Sequence, residues 1–232
     1  MGKFLKRWLW RFLFFLAGAV LLYQLWIFGH IVYWNFYNPS TSAFMQERLD
    51  VLQEKKPEAM LHHQWVPYER ISPHLKRAII AAEDGKFLQH EGFDFEAIQE
   101  AYEKNLEKGK FVRGGSTISQ QLVKNLFLSG KKTPWRKIEE AIITLMLENV
   151  MSKRRILEIY LNKIEWGNGV FGAEAASRHY YGVSASALTA KQAARLAAMV
   201  PNPRFYDLNR NTPWLLKKTD IIFSRMVSIQ IP

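Results

Sequence analysis

The sequence has 232 residues, no cysteine, and 32 basic against 21 acidic side chains, for a net charge of +11. With 48% apolar residues it is neither a disordered tail nor a charge-only polymer, and the lack of cysteine excludes a disulfide scaffold and any cysteine-ligated zinc or iron–sulfur centre. The length fits one domain with an appendage. The basic balance calls for a polyanionic partner, whether nucleic acid, anionic membrane or phosphorylated substrate.

Lys3, Lys6, Arg7 and Arg11 precede a run, residues 12–34, that holds no Asp, Glu, Lys or Arg. At about 1.5 Å per helical residue such a run crosses a hydrocarbon core of about 30 Å. The basic flank keeps the N-terminus in the cytoplasm and sends the rest of the chain outside. Trp8, Trp10, Trp26, Tyr33 and Trp34 fall near the two ends, where aromatic rings favour the headgroup zone. Ala17-Gly18-Ala19 also fits a signal-peptide cleavage site, but the apolar run continues well past it, so a retained anchor over 12–34 is expected, with 1–11 as its cytoplasmic flank. An external domain disfavours nucleic acid as the partner.

Residues 35–65 read as a connector broken at Asn38-Pro39 and Lys56-Pro57, with one amphipathic helix over 45–53 and a short extended piece over 62–67. From Ser72 the signals are helical. Ser72-Pro73, Thr133-Pro134 and Thr212-Pro213 each set an N-cap before a proline, and Thr117 with Gln120 and Thr189 with Gln192 fit capping boxes. Alternating apolar runs are nearly absent, which predicts a mainly α globule on a single N-terminal transmembrane helix, its domain spanning 66–232.

Three segments carry chemistry. Residues 83–92 (Glu-Asp-Gly-Lys-Phe-Leu-Gln-His-Glu-Gly) close the helix begun at Ser72, so the Glu83 carboxylate meets the negative end of the dipole and is harder to ionise, as suits a proton acceptor. In residues 113–125, Gly114-Gly115 lets backbone approach a ligand before a helix opens at Ser116 or Thr117 with free amides. On that helix Gln120, Gln121, Lys124 and Asn125 are too many polar residues for one solvent stripe, so some face inward or into a cleft. In residues 131–140, Arg136 and Lys137 oppose the dipole of the helix they start, which makes sense beside an anion, with Lys124 converging and Glu140 one turn on from Arg136. Taken singly, each segment has an ordinary reading: a solvated Glu-Asp pair, a helix-start turn, a surface ion pair. Asp94 caps a further amphipathic helix bearing Phe95, Ile98, Tyr102, Leu106 and Phe111 with Lys104, Lys108 and Lys110. It fits membrane-surface contact or core packing equally well.

Together and in this order, the segments closely resemble the family-51 glycosyltransferases, the peptidoglycan-polymerising transglycosylases. The family signatures Glu-Asp-x-x-Phe-x-x-His-x-Gly, Gly-Gly-Ser-Thr-Ile-(Thr/Ser)-Gln-Gln and Arg-Lys-x-x-Glu stand at 83–92, 114–121 and 136–140, and Lys-x-x-Ile-Leu-Glu-x-Tyr-Leu-Asn at 153–162. Segments at 172–182 and Pro201-Asn202-Pro203 match as well. The resemblance implies a lysozyme-like helical transglycosylase domain, and a chain ending at Pro232 leaves no room for the transpeptidase domain of bifunctional members. It further implies lipid II and the growing glycan strand as substrates, at the external face of a bacterial inner membrane. Cell-wall synthesis or division proteins are candidate partners.

The same resemblance gives Glu83 and Glu140 catalytic roles and assigns substrate contacts to Lys124, Arg136, Lys137, Ser116, Gln121, Asn125, Lys132 and His90. It allows a divalent cation, Mg or Mn, on Glu140, although nothing in the sequence requires one. Lys132 departs from the family's common arginine, keeping charge but losing bidentate phosphate geometry. A lytic transglycosylase on the same scaffold, or a non-catalytic anchored assembly protein, is the alternative. Cleavage has no pyrophosphate for the basic motifs to stabilise.

Overall fold

A computed structural model describes residues 2–109, 114–128 and 134–232. Helix α1 (Gly2–Phe36) is longer than the charge-free run, and its apolar part, Phe4–Phe36, has a mean hydropathy of 2.0. The side chains of its first six turns are almost all exposed, as an anchor needs, but Ile27 and Ile31 are fully buried in the domain core. The Tyr23 hydroxyl donates to Glu139 at 2.7 Å, and Trp34 packs on Phe127 with ring centroids 5.2 Å apart. Arg155 then donates to the carbonyls of Trp34 and Tyr37 at 2.7–2.9 Å, supplying the helix end with a cation where the dipole is negative. The anchor is thus docked on the domain over its last four turns.

The segment expected as a connector is also structured. Ser42 caps α2 (Ala43–Gln53), accepting from the Met45 amide at 3.1 Å. Short strand β1 (His62–His63) pairs in parallel with β3 (Val170–Phe171), which pairs antiparallel with β2 (Glu165–Gly167). Asn162 extends this pairing with its side chain, accepting from the Val66 amide at 2.9 Å and donating to the Val66 carbonyl at 3.0 Å.

The α-helices that follow are α3 (Pro73–Glu83), α4 (Phe95–Glu107), α5 (Ile118–Phe127), α6 (Pro134–Val150), α7 (Lys153–Lys163), α8 (Ala173–Tyr181), α9 (Ala190–Met199), α10 (Pro203–Leu208) and α11 (Pro213–Arg225). Ser72, Asp94, Ser152 and Thr212 each accept from a first-turn amide. Thr117 and Thr189 form the expected capping boxes with Gln120 and Gln192. Helix α3 packs its Leu75, Ala78 and Ile79 against α9 and α11, while α5 packs between α2, α6 and α7. The fold is mainly α, with one helix long and apolar enough to span a membrane among the described residues.

Helix α4 is not packed into the core: Ala101 is its one buried residue, while Phe95, Tyr102 and Leu106 are each more than 60% exposed. Its apolar face is not covered by the domain. Gly172, at φ +83°, precedes α8, and a β-carbon there would lie 2.8 Å from the Asn162 carbonyl oxygen. Gly172→Ala is expected to destabilise the domain by about 2 kcal/mol, read as a lowered midpoint of thermal unfolding.

Candidate active site

Glu83 is the last residue of α3, where the chain turns away into residues 84–92. Burial pushes its carboxyl above the usual carboxylate range, with Asp84 acting in the same direction and Gln121 and Lys218 opposing. Gln121, one turn into α5, donates from Nε2 to Glu83 Oε2 at 2.9 Å. The Tyr160 hydroxyl of α7 donates to Gln121 Oε1, also at 2.9 Å. Burial raises the Tyr160 phenol well above its ordinary value, so it keeps its proton and fixes which end of the Gln121 amide faces Glu83. Loss of the Gln121 bond raises the Glu83 pKa. The acid limb of the kcat/KM pH profile is therefore expected to move to higher pH in Gln121→Leu.

Asp84 organises the loop that follows. Its Oδ2 accepts from the Ile118 amide at 3.0 Å, at the first turn of α5, and its Oδ1 accepts from His90 Nε2 at 2.9 Å. His90 Nδ1 in turn accepts from the Gly92 amide at 3.2 Å, which leaves Nε2 as the ring's donor to Asp84. The sequence reading gave His90 to the substrate and left the α5 amides free. In the structure His90 bonds to Asp84 and is not among the residues lining the two cavities described below, and Asp84 occupies an amide of the helix start. Gly115 likewise serves a close approach to protein, since a β-carbon there would lie 2.9 Å from the Ile98 Cα of α4.

Two cavities meet at Gln121 and Pro201, which line both. The first, about 620 Å³, contains Glu83, Gly114, Ser116, Trp214 and Lys218. The second, about 450 Å³, contains Lys124 and Asn125 of α5, Arg136 of α6 and Tyr160, together with Arg48 of α2 and Arg204 of α10. Glu140 is buried behind Arg136 and Lys137. Arg136 Nη1 donates to its Oε2 at 3.2 Å, and Lys137 pairs with its Oε1. The structure thus brings Glu83, Ser116 and Gln121 together on one side and Gln121, Lys124, Asn125 and Arg136 on the other, with Glu140 and Lys137 adjoining through Arg136. Lys132 lies outside the described residues.

The expected divalent ion does not fit Glu140 as a resident cofactor. Both of its oxygens face cations, and no group of three His, Cys, Asp or Glu side chains able to hold a metal occurs among the described residues.

Sequence reasoning overlooked Tyr160, although it stands inside the fourth motif, as well as Lys218, Arg48, Glu165 and Arg204, which carry no local signal. Burial lowers the Lys218 ammonium while Glu83 across the cavity raises it.

The sequence is similar to known proteins. A family model described as Transglycosylase matches residues 50–227. The chain belongs to the transglycosylase family. It is 72% identical to the biosynthetic peptidoglycan transglycosylase of Nitrosospira multiformis, over 99% of this chain and 100% of that one. It is 63% identical to the protein so named from Chromobacterium violaceum, over 98% and 100% of the two chains. For that of Laribacter hongkongensis the figures are 66%, over 97% and 99%. The matched region begins 16 residues before the expected domain boundary at 66, inside α2, in keeping with the packing of that helix on α5. The transglycosylase is accordingly an enzyme of glycosyl transfer, with an N-terminal helix suited to membrane anchoring.

Proposed function

We propose that this transglycosylase polymerises peptidoglycan glycan strands from lipid II. The growing strand, still on undecaprenyl pyrophosphate, is the donor, and lipid II is the acceptor. Glu83 takes the proton from the acceptor 4-hydroxyl. That oxygen bonds to the donor anomeric carbon from the face opposite the diphosphate, the carbon–oxygen bond to the diphosphate breaks, and the electron pair leaves with it, inverting α to β. Lys124, Arg136 and Lys137 meet the departing charge, Glu140 holds the last two in place, and Ser116, Gln121 and Asn125 line the cleft. No step is routed through a metal.

The observation that carries this reading is the position of Gln121, which touches a half-buried, hard-to-ionise carboxylate on one side and lines a cation-rich cavity on the other. A base and a diphosphate site on either side of one residue are what acceptor deprotonation with a departing diphosphate requires, whereas strand cleavage has no such leaving group. The basic residues Lys3, Lys6, Arg7 and Arg11 support a cytoplasmic N-terminus and an external catalytic domain at the bacterial inner membrane. The uncovered apolar face of α4 supports contact with that bilayer. Lipid II given to the detergent-solubilised chain should yield a polymer that a β-1,4-specific muramidase digests, and moenomycin should block its formation. Muramidase-resistant product would contradict inversion.

A further inference from the structure

Two of the four cations that line the second cavity come from elements outside the signature motifs. Lys124 and Arg136 belong to α5 and α6, whereas Arg48 comes from α2 and Arg204 from α10. These two arginines converge on Glu165 of β2, which is 5% exposed. Arg48 Nε donates to Glu165 Oε1 at 3.2 Å, and Arg204 Nε stands 3.6 Å from Oε2. Arg48 Nη2 donates to Asn168 Oδ1, and Glu165 Oε1 also accepts from the Gly169 amide at 3.3 Å. Among the described residues Arg48 Nη1 has no partner, and the Arg204 side chain is half exposed. One buried carboxylate thus holds two guanidinium groups at the cavity wall while leaving N–H groups of both unspent. Guanidinium N–H groups left at a cavity wall match a carboxylate, which accepts charge-assisted hydrogen bonds from them.

Given the functional reading above, on which this rests, the donor brings one other anionic chemistry into the cleft: its sugars carry a peptide, and a peptide ends in a carboxylate. The geometry points to Arg48 and Arg204, positioned by Glu165, as a subsite for the carboxylate of the donor strand's stem peptide.

The test compares two labelled donors with the full-length protein in detergent, using unlabelled lipid II as acceptor. Both donors are lipid II lacking the terminal 4-hydroxyl, so each can only donate. One has a free C-terminal carboxylate on its stem peptide and the other the carboxamide. The wild type is expected to prefer the carboxylate donor roughly tenfold in kcat/KM, the worth of one charge-assisted contact. Arg204→Gln and Arg48→Gln, each checked for an unchanged thermal unfolding profile, should bring that ratio close to one, and Glu165→Gln should weaken it. Arg204 is exposed enough for its variant to fold even where Arg48→Gln does not. Equal use of both donors by the wild type, or an undiminished preference in Arg204→Gln, would overturn the subsite and leave the polymerase reading standing. No labelled product from either donor would overturn both.

Discussion

Glu83→Gln is expected to lower glycan polymerisation by roughly 10²–10⁴-fold, the usual worth of a positioned general base, without loss of the fold. The amide fills the same space, and Gln121 can still bond to its oxygen. Stability should move the other way from activity. The folded-state pKa of Glu83 is raised by burial, so between the unfolded value and the folded one the native state holds the extra proton, and stability falls as pH rises through that window. At neutral pH a neutral Gln removes this penalty, and the variant should unfold at the same temperature as the wild type or higher. Loss of activity together with a lower melting temperature would show that Glu83 supports structure rather than chemistry.

Asp84→Ala should act on the fold instead. Asp84 is 6% exposed and is the acceptor for both the Ile118 amide and His90 Nε2. Its removal leaves two buried donors unpaired and takes a negative charge from the first turn of α5, costing about 3 kcal/mol. For a domain of this size that is a fall of roughly 6–12 °C in the unfolding midpoint. Activity should fall as well, because α5 carries Gln121 and Lys124. Asp84→Asn keeps one acceptor and should lose less of both. Thermal unfolding alongside a polymerisation assay separates this pattern from that of Glu83→Gln.

Much of this architecture was legible because helix starts are local. Ser72, Thr117 with Gln120, Thr189 with Gln192 and Thr212 each announce a helix within four residues, and the placement of Glu83 at the end of α3 followed from the first of them. What could not be read depends on distant partners. Arg48 meets Glu165 across 117 residues, so α2 looked like part of a connector when it is a wall of the site. The contact face of α1, Ile27 and Ile31, is hidden in a run where nearly every residue is apolar and no periodicity stands out. The β2–β3 pair is only three and two residues long, too short to show alternation. The partners of His90 and Gly115 were equally illegible: a residue type suited to a ligand is also suited to a tight contact inside the protein, as His90 makes with Asp84 and Gly115 with α4.

The anchored domain and its site combine into one physical account. Helix α1 is docked on α6 and clamped by Arg155 of α7, so the helices that bear Arg136, Lys137 and Tyr160 are held at a fixed place relative to the apolar N-terminal helix. In the proposed reaction, a lipid-linked diphosphate meets cations on one side of Gln121, and a sugar hydroxyl meets a base on the other.

The central claim is that this site builds strands rather than cutting them. Its most direct test is to give the full-length chain lipid II in one vessel and preformed glycan strands in another. The account predicts consumption of lipid II with release of undecaprenyl pyrophosphate and growth of polymer, and no shortening of the preformed strands. Shortened strands with lipid II left untouched would contradict it.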